Sequence, residues 1–403
     1  MELGHADVVI LGGGILGLAT AWKLSQRHPD LAIRVVEKES RLALHQTGRN
    51  SGVLHSGIYY APGSAKARTC RRGQQEMIDF CRAHDVPVQM LGKVIVATSP
   101  DEIPRLDALA DRAAANGVTA HRVGPAGLRD IEPHAAGIDA LHVPGAGITD
   151  YRAVCERLAE LLIGCGVEID FDTTVLTLDD DGDRVHVTTS RGAITARQVI
   201  ACAGLHSDRL ARTIDPSTTE RIMPFRGEYF ELTKERRHLV NGLIYPVPDP
   251  AFPFLGVHLT RMIDGAIHAG PNAVPALSRE GYRWRDISAR DTAELLSNPG
   301  AWRLARSYWK TGLAEIVRSA SKRRFVAALQ RLVPAVQTED LVRSPAGVRA
   351  QAISRDGRLI DDFAFAGRGN VLNVLNAPSP AATASLALAD EIVDRAMPVF
   401  DES

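Results

Sequence analysis

Net charge is almost absent from this chain. Against 47 basic residues stand 48 acidic ones, a balance of −1, which excludes a chain-wide polycationic nucleic-acid surface and a disordered acidic tail. Cysteine is scarce as well. The five present, Cys70, Cys81, Cys155, Cys165 and Cys202, are odd in number, widely spaced and free of any C-x-x-C pair, so neither a metal site nor a disulfide framework is expected, and a reducing cytoplasm is the natural compartment. Long apolar runs are missing too: the most apolar early stretch, Val8 to Trp22, holds four glycines and a threonine and is closed by Asp7 and Lys23, too short and too broken to span a bilayer. A secretory signal is not expected in this stretch, because Glu2 and Asp7 precede it where such a signal carries positive charge. Internal repeats and low-complexity linkers are also absent. Lysine contributes only seven of the 47 basic residues.

What is there fits a folded protein of two or three units. The length is 403 residues, with 45% hydrophobic and 24% charged side chains. Asp7–Leu11 reads as a buried parallel strand, and Gly12-Gly13-Gly14-Ile15-Leu16-Gly17 then opens a helical segment, Leu18–Arg27. Gly12 permits the tight turn, Gly14 lets a pyrophosphate approach the backbone, and Gly17 allows close helix–strand packing, while the helix start offers free N–H groups and a positive dipole end. Ile15 and Leu16 fill the intervening positions. A second strand, Ala32–Glu37, ends in an acid placed to accept both ribose hydroxyls of an adenosine and to repel a 2′-phosphate, so FAD or NAD fits better than NADP.

The continuation separates those two. A plain NAD domain would follow with another βαβ unit, whereas here the polar, glycine-broken loop His45-Gln46-Thr47-Gly48-Arg49-Asn50-Ser51-Gly52 comes almost at once. Further on, Val167–Phe171, Val175–Leu178, Val185–Thr189 and Ala193–Cys202 read as short strands, with Asp179–Asp183 as a hairpin turn, just before Ala203-Gly204. That layout favours a flavin.

Several longer stretches then carry a resemblance: GRNSGVLHSGIYYAPGSAKARTC (Gly48–Cys70), CAGLHSDRLA (Cys202–Ala211), PFRGEYFEL (Pro224–Leu232), LIYPVPDPAFPFLGVHLTRMIDG (Leu243–Gly265) and LNAPSPAATASLALADEI (Leu375–Ile392). Through them the chain resembles, along nearly its whole length, the D-amino-acid-oxidase-like FAD superfamily of glycine oxidase and glycerol-3-phosphate dehydrogenase, and within it the L-2-hydroxyglutarate dehydrogenase/oxidase family. One departure is Gly347-Val348-Arg349-Ala350, which lacks the proline of the family's Gly-Arg-Pro. The resemblance implies an α/β fold, with a Rossmann-type, glutathione-reductase-like FAD domain and an inserted antiparallel-sheet substrate domain bearing a helical cap. The expected division is 1–90, 145–215 and 341–403 for the first and 91–144 and 216–340 for the second.

It also implies a chemistry: oxidation of L-2-hydroxyglutarate to 2-oxoglutarate by hydride transfer to flavin N5. His55 is the candidate base and His258 the reserve, since an imidazole is neutral near neutral pH and forms a stable cation as the hydroxyl proton leaves. Arg349 and Arg261 are the candidate clamps for the two carboxylates, because a guanidinium matches a carboxylate with two donors. Tyr60 and Tyr245 are candidate hydrogen-bond donors to substrate. The expected cofactor contacts are Gly12, Gly14, Ile15, Leu16, Gly17, Glu37 and Lys38, then Thr47, Gly48, Asn50 and Ser51, then Val175, Ala203 and Gly204, and finally Asn376, Ala377, Pro378 and Ser379. Ser379 is read as the N-cap, and Pro380 as the first residue, of a helix Ala381–Arg395 whose start faces the flavin pyrimidine edge.

Electrons are expected to pass to quinone or oxygen. No lysine falls in Leu255–Gly265, where several oxidases of the superfamily place one over the flavin, which tilts the expectation to a dehydrogenase that passes electrons to quinone or another acceptor. Trp302–Leu332, with Trp302, Trp309 and Lys322-Arg323-Arg324, is read as a helical cap whose aromatics pack inward; an interfacial helix on the inner membrane is its alternative. Two other functions share the nucleotide motif: a sarcosine- or glycine-oxidase-like amine oxidase and a non-catalytic nucleotide-binding protein.

Overall fold

A computed structural model describes residues 2–249 and 255–397; within the long helix Pro299–Ala320 the side chains of 310, 311, 313–318 and 320 fall outside that description. Residues 250–254, inside the Leu243–Gly265 stretch, lie outside the described residues. The chain forms two large sheets and a small three-stranded one. The first sheet has a parallel core in the order Glu168–Asp170, Ile33–Val36, Glu2–Leu11, Ala193–Ala201 and Val371–Asn376. The inner strands carry buried aliphatic runs, Val8–Leu11, Val35–Val36, Val199–Ile200 and Val371–Leu372, where both faces are covered. On one face lie the helices Ile15–Arg27, Ala65–Ala83, Tyr151–Gly164 and Ala381–Ala396, packed through Leu18, Leu24, Met77, Leu158, Leu388 and Ile392. Each such fully buried side chain contributes about 1.5–3 kcal/mol. The antiparallel strands Val175–Asp180 and Val185–Thr189 extend the same sheet through the first half of Ala193–Ala201, and Leu178, Val185 and Val187 pack with Val9, Leu11 and Val199 in a second core.

The second sheet runs Val274–Pro275, Arg221–Leu232, Ile267–Gly270, His258–Arg261, Leu243–Pro246, Lys93–Ala97, Asp139–Val143 and His121–Val123. It is antiparallel as expected, except that Leu243–Pro246 runs parallel to Lys93–Ala97. Helices Ile103–Ala115 and Lys322–Gln330 cover it through Leu106 and Leu109 and through Phe325 and Leu329. The boundary expected at 341 is corrected here. Leu341–Ile353 pairs with Arg221–Leu232 along almost its whole length, so this strand belongs to the second sheet and only the segment after it returns to the first. Its long register with a neighbouring strand, invisible in local sequence, decides its place.

The cap is helical, as Ala289–Leu296, Pro299–Ala320 and Lys322–Gln330. Its tryptophans do not pack inward as expected: Trp302 and Trp309 are 59% and 60% exposed. Among the described residues no helix is long and apolar enough to cross a membrane.

Candidate active site

A cavity of 1020 Å³ opens along the C-terminal ends of the parallel strands and continues under the second sheet. Its first end is built by the glycine loop. Gly12 has φ +116°, and a Cβ there would lie 2.6 Å from the Cys202 carbonyl oxygen; a Cβ on Gly17 would lie 2.0 Å from the Gly12 carbonyl oxygen. Only hydrogen fits at either place, and the backbone of helix Ile15–Arg27 is thereby drawn against the strand end. Gly14 offers no side-chain cap; instead Thr47 Oγ1 accepts the Ile15 N–H at 3.1 Å. Glu37 Oε2 accepts from Gly13 N at 2.7 Å and Oε1 from Glu39 N at 2.9 Å. The acid thus fixes the loop and keeps lone pairs toward the cavity. A glycine cradle, a helix start and a buried acid suit the pyrophosphate and ribose of FAD.

Of the expected cofactor contacts, Gly12, Gly14, Ile15, Leu16, Glu37, Lys38, Thr47, Asn50, Ser51, Val175, Ala203, Gly204, Ala377, Pro378 and Ser379 line this cavity. Three do not. Gly17 backs onto Gly12, Gly48 would drive a Cβ into the Ala43 carbonyl, and Asn376 is spent holding Ala352 N and the carbonyls of Ile360 and Asp362. These shape the loops around the cofactor channel. The helix cap is also corrected. Ala381 N bonds to the Pro378 carbonyl and Ala384 N to the Pro380 carbonyl, so the helix begins at Ala381 with Pro380 before it and no side-chain cap. Residues 377–383 nevertheless line the cavity, as the expectation required.

The other end gathers the chemistry. His55, His258, Tyr59, Tyr60, Tyr229, Tyr245, Lys66 and Arg349 all line it. Thr383 Oγ1 accepts the His55 backbone N–H at 3.1 Å and is itself bonded to the Val53 carbonyl and the Tyr151 phenol. That anchors His55 to the helix start. His258 donates Nδ1–H to the Gly256 carbonyl at 2.9 Å, which leaves Nε2 as the acceptor of the neutral ring. Burial pushes both imidazoles down to about 3, with Lys93, Arg349 and, for His55, His258 adding repulsion. Both are therefore neutral at working pH. Arg349 reaches the cavity from Leu341–Ile353 and interacts with the Tyr229 phenol. The Tyr60 phenol bonds to Ser379, and Lys66 Nζ donates to the Asp361 carbonyl and carboxylate at 2.7 and 3.0 Å.

Arg261 is not among the lining residues. Strand alternation explains it: along His258–Arg261 the first and third residues share one face, so with His258 facing the cavity Arg261 faces away, where its charge acts on Glu132. The lysine argument also changes. Leu255–Gly265 has none, yet Lys66 lines the cavity and Lys93 lies behind its wall, so that absence does not favour a dehydrogenase.

Residues 7–395 match the model of the FAD dependent oxidoreductase family. The chain belongs to that family. Within it, the chain is 46% identical to the L-2-hydroxyglutarate dehydrogenase of Indibacter alkaliphilus, over 98% of this chain and 99% of that one. It is 44% identical to the enzyme of that name from Escherichia coli K12 (96% and 92% covered) and 42% identical to the human mitochondrial one (98% and 89%). Among solved structures it superposes on L-α-glycerophosphate oxidase from Mycoplasma pneumoniae, which has FAD bound, with a TM-score of 0.80 at 23% identity, covering 98% and 95% of the two chains. Glycine oxidase from Geobacillus kaustophilus gives 0.74 at 16%, covering 97% and 95%. The family is FAD-dependent, and the glycine-loop end of the cavity has the residue types that suit that cofactor.

Sequence reasoning missed Tyr59, Tyr229, Lys66, Lys93 and Thr383. Two signals were present: lysine is rare in this chain, and Lys93 opens the otherwise apolar strand KVIVA.

Proposed function

We propose that this chain oxidises L-2-hydroxyglutarate to 2-oxoglutarate with FAD as electron acceptor. The observation that carries the reading is the convergence of two neutral imidazoles and Arg349 at one end of a cavity whose other end suits FAD. Bound FAD would take up the hydride from C2. The chain's own residues do the rest. Arg349 binds the carboxylate next to C2 and fixes the face of the carbon presented. His55, anchored through Thr383, takes the hydroxyl proton, and the resulting positive charge is tolerated because substrate brings two negative charges into the same pocket. His258 hydrogen-bonds the hydroxyl through Nε2. Tyr60, tied to Ser379, closes the side nearest the helix start.

The test is anaerobic mixing of the yellow protein with L- and D-2-hydroxyglutarate, L-lactate and sarcosine while flavin absorbance is followed. L-2-Hydroxyglutarate should bleach it fastest; bleaching by sarcosine alone would assign an amine oxidase. His55→Asn should keep its FAD and reduce it ~10²–10⁴-fold more slowly.

For reoxidation the candidates are quinone and oxygen. Contact with the inner-membrane surface through the exposed indoles of Trp302 and Trp309 would serve the quinone route from a cytoplasmic location. Turnover with a soluble quinone under argon, compared with turnover in air, decides between them.

A further inference from the structure

Lys93 stands at the start of the strand Lys93–Ala97, between Leu243 and Val143 in the second sheet. It is 1% exposed. Its ammonium lies 4.6 Å from the Tyr59 ring centroid and 4.8 Å from that of Tyr245, and it has no hydrogen-bond partner among the described residues. Both tyrosines line the cavity, and Tyr245 stacks on His258 with centroids 4.0 Å apart. One buried cation is thus wedged behind the wall that carries the chemistry. An unpaired buried charge is costly, and a methionine of the same length would fill the space without that cost. Two aromatic faces offset part of it.

We infer that Lys93 is a positioning residue for the oxidation, a buried ammonium that acts through the Tyr59–Tyr245 wall to keep His55 and His258 ready to take a proton. The inference rests on the reading of these imidazoles given above. The groups facing them are known: Lys93, Arg349, Lys66 and each other for His55, and Arg349, Lys93 and the Gly256 carbonyl for His258. Lys66 has a counter-ion in Asp361, whereas among the described residues no carboxylate forms an ion pair with Lys93. Its field therefore reaches the imidazoles with little local cancellation, in a medium where charge interactions are strong. Tyr59, Tyr245 and the Cys70 thiol complete its surroundings. Burial lowers the ammonium itself to about 8, so it is charged throughout the acid range in which an imidazole would otherwise protonate.

The sign follows directly. Removing the charge relieves repulsion of the imidazolium, so the acid limb of flavin reduction moves to higher pH. In FAD-loaded Lys93→Met that limb should rise by about one pH unit, a ~10-fold slower reduction at any pH along it, and Lys93→Arg should restore the wild-type position. A second readout needs no turnover: NMR titration of ¹⁵N-histidine-labelled protein, with His55 and His258 assigned through their Asn variants, should show the same upward movement in Lys93→Met. Lys93→Gln serves as the neutral variant if Lys93→Met does not fold. Unmoved imidazole midpoints and an unmoved acid limb in a folded neutral variant would overturn the inference, even if the rate fell uniformly. Wild-type reduction rates in both His55→Asn and His258→Asn would overturn the reading beneath it instead.

Discussion

His258 lies flat on Tyr245, the two rings 4.0 Å apart at their centroids and 24° from parallel, while its Nδ1–H is held by the Gly256 carbonyl at 2.9 Å. Stacking fixes the ring plane and the hydrogen bond fixes the tautomer, so Nε2 is presented in one orientation. Tyr245→Leu releases the plane and leaves the tautomer. An aromatic pair of this kind is worth about 0.5–1.5 kcal/mol, so flavin reduction should slow by roughly 2–10-fold with FAD content unchanged. Stopped-flow reduction at saturating substrate checks it.

Of the two candidate clamps, Arg349 is the one that lines the cavity. Arg349→Met should weaken substrate binding by about 1.5–3 kcal/mol, or ~10–150-fold in Kd, as expected for lost hydrogen bonds to a charged group. Arg349→Lys should recover only part of this, since an ammonium cannot make the paired contact. The substrate dependence of the reduction rate reads the change. Arg261→Met, by contrast, should leave that dependence near wild type.

Gly17 does not line the cavity, yet its substitution should be severe. With a Cβ only 2.0 Å from the Gly12 carbonyl, Gly17→Ala must push the helix off the strand end, at about 1–3 kcal/mol as overpacking. The variant should purify with little FAD and melt at lower temperature. Flavin content per chain and a thermal melt measure both effects.

The buried imidazoles also set an acid sensitivity. His55 and His258 hold folded-state values of about 3 against an ordinary 6.5, so between those limits the unfolded chain binds more protons than the folded one. Stability is therefore full above pH 6.5 and is lost progressively as pH falls toward 3. Apo His258→Asn should lose less stability than wild type between pH 7 and 5. Denaturant midpoints across that range test the sign.

The nucleotide half was legible because its demands are local. Gly12, Gly14 and Glu37 lie within a single strand–helix–strand unit, and each answers one steric or electrostatic need at a fixed spacing. The substrate end was only half legible. His55, His258, Arg349, Tyr60 and Tyr245 arrive from four separate segments, and the resemblance supplied them. Arg261 failed because period-two alternation turns it away from the side that His258 faces, and the strand's facing could not be read from HLTR alone. Leu341–Ile353 was misplaced because pairing with Arg221–Leu232 is a relation between segments more than 100 residues apart. Lys93 escaped notice because the search for a lysine followed one strand, while the sheet delivers it from another.

The most direct measurement combines stoichiometry with isotope labelling. Anaerobic titration of the FAD-loaded protein with L-2-hydroxyglutarate should bleach one flavin and yield one 2-oxoglutarate per molecule consumed, and deuterium at C2 should slow the bleaching. A flavin that stays oxidised in the presence of this hydroxy acid, yet is reduced by glycine or sarcosine, would contradict the account.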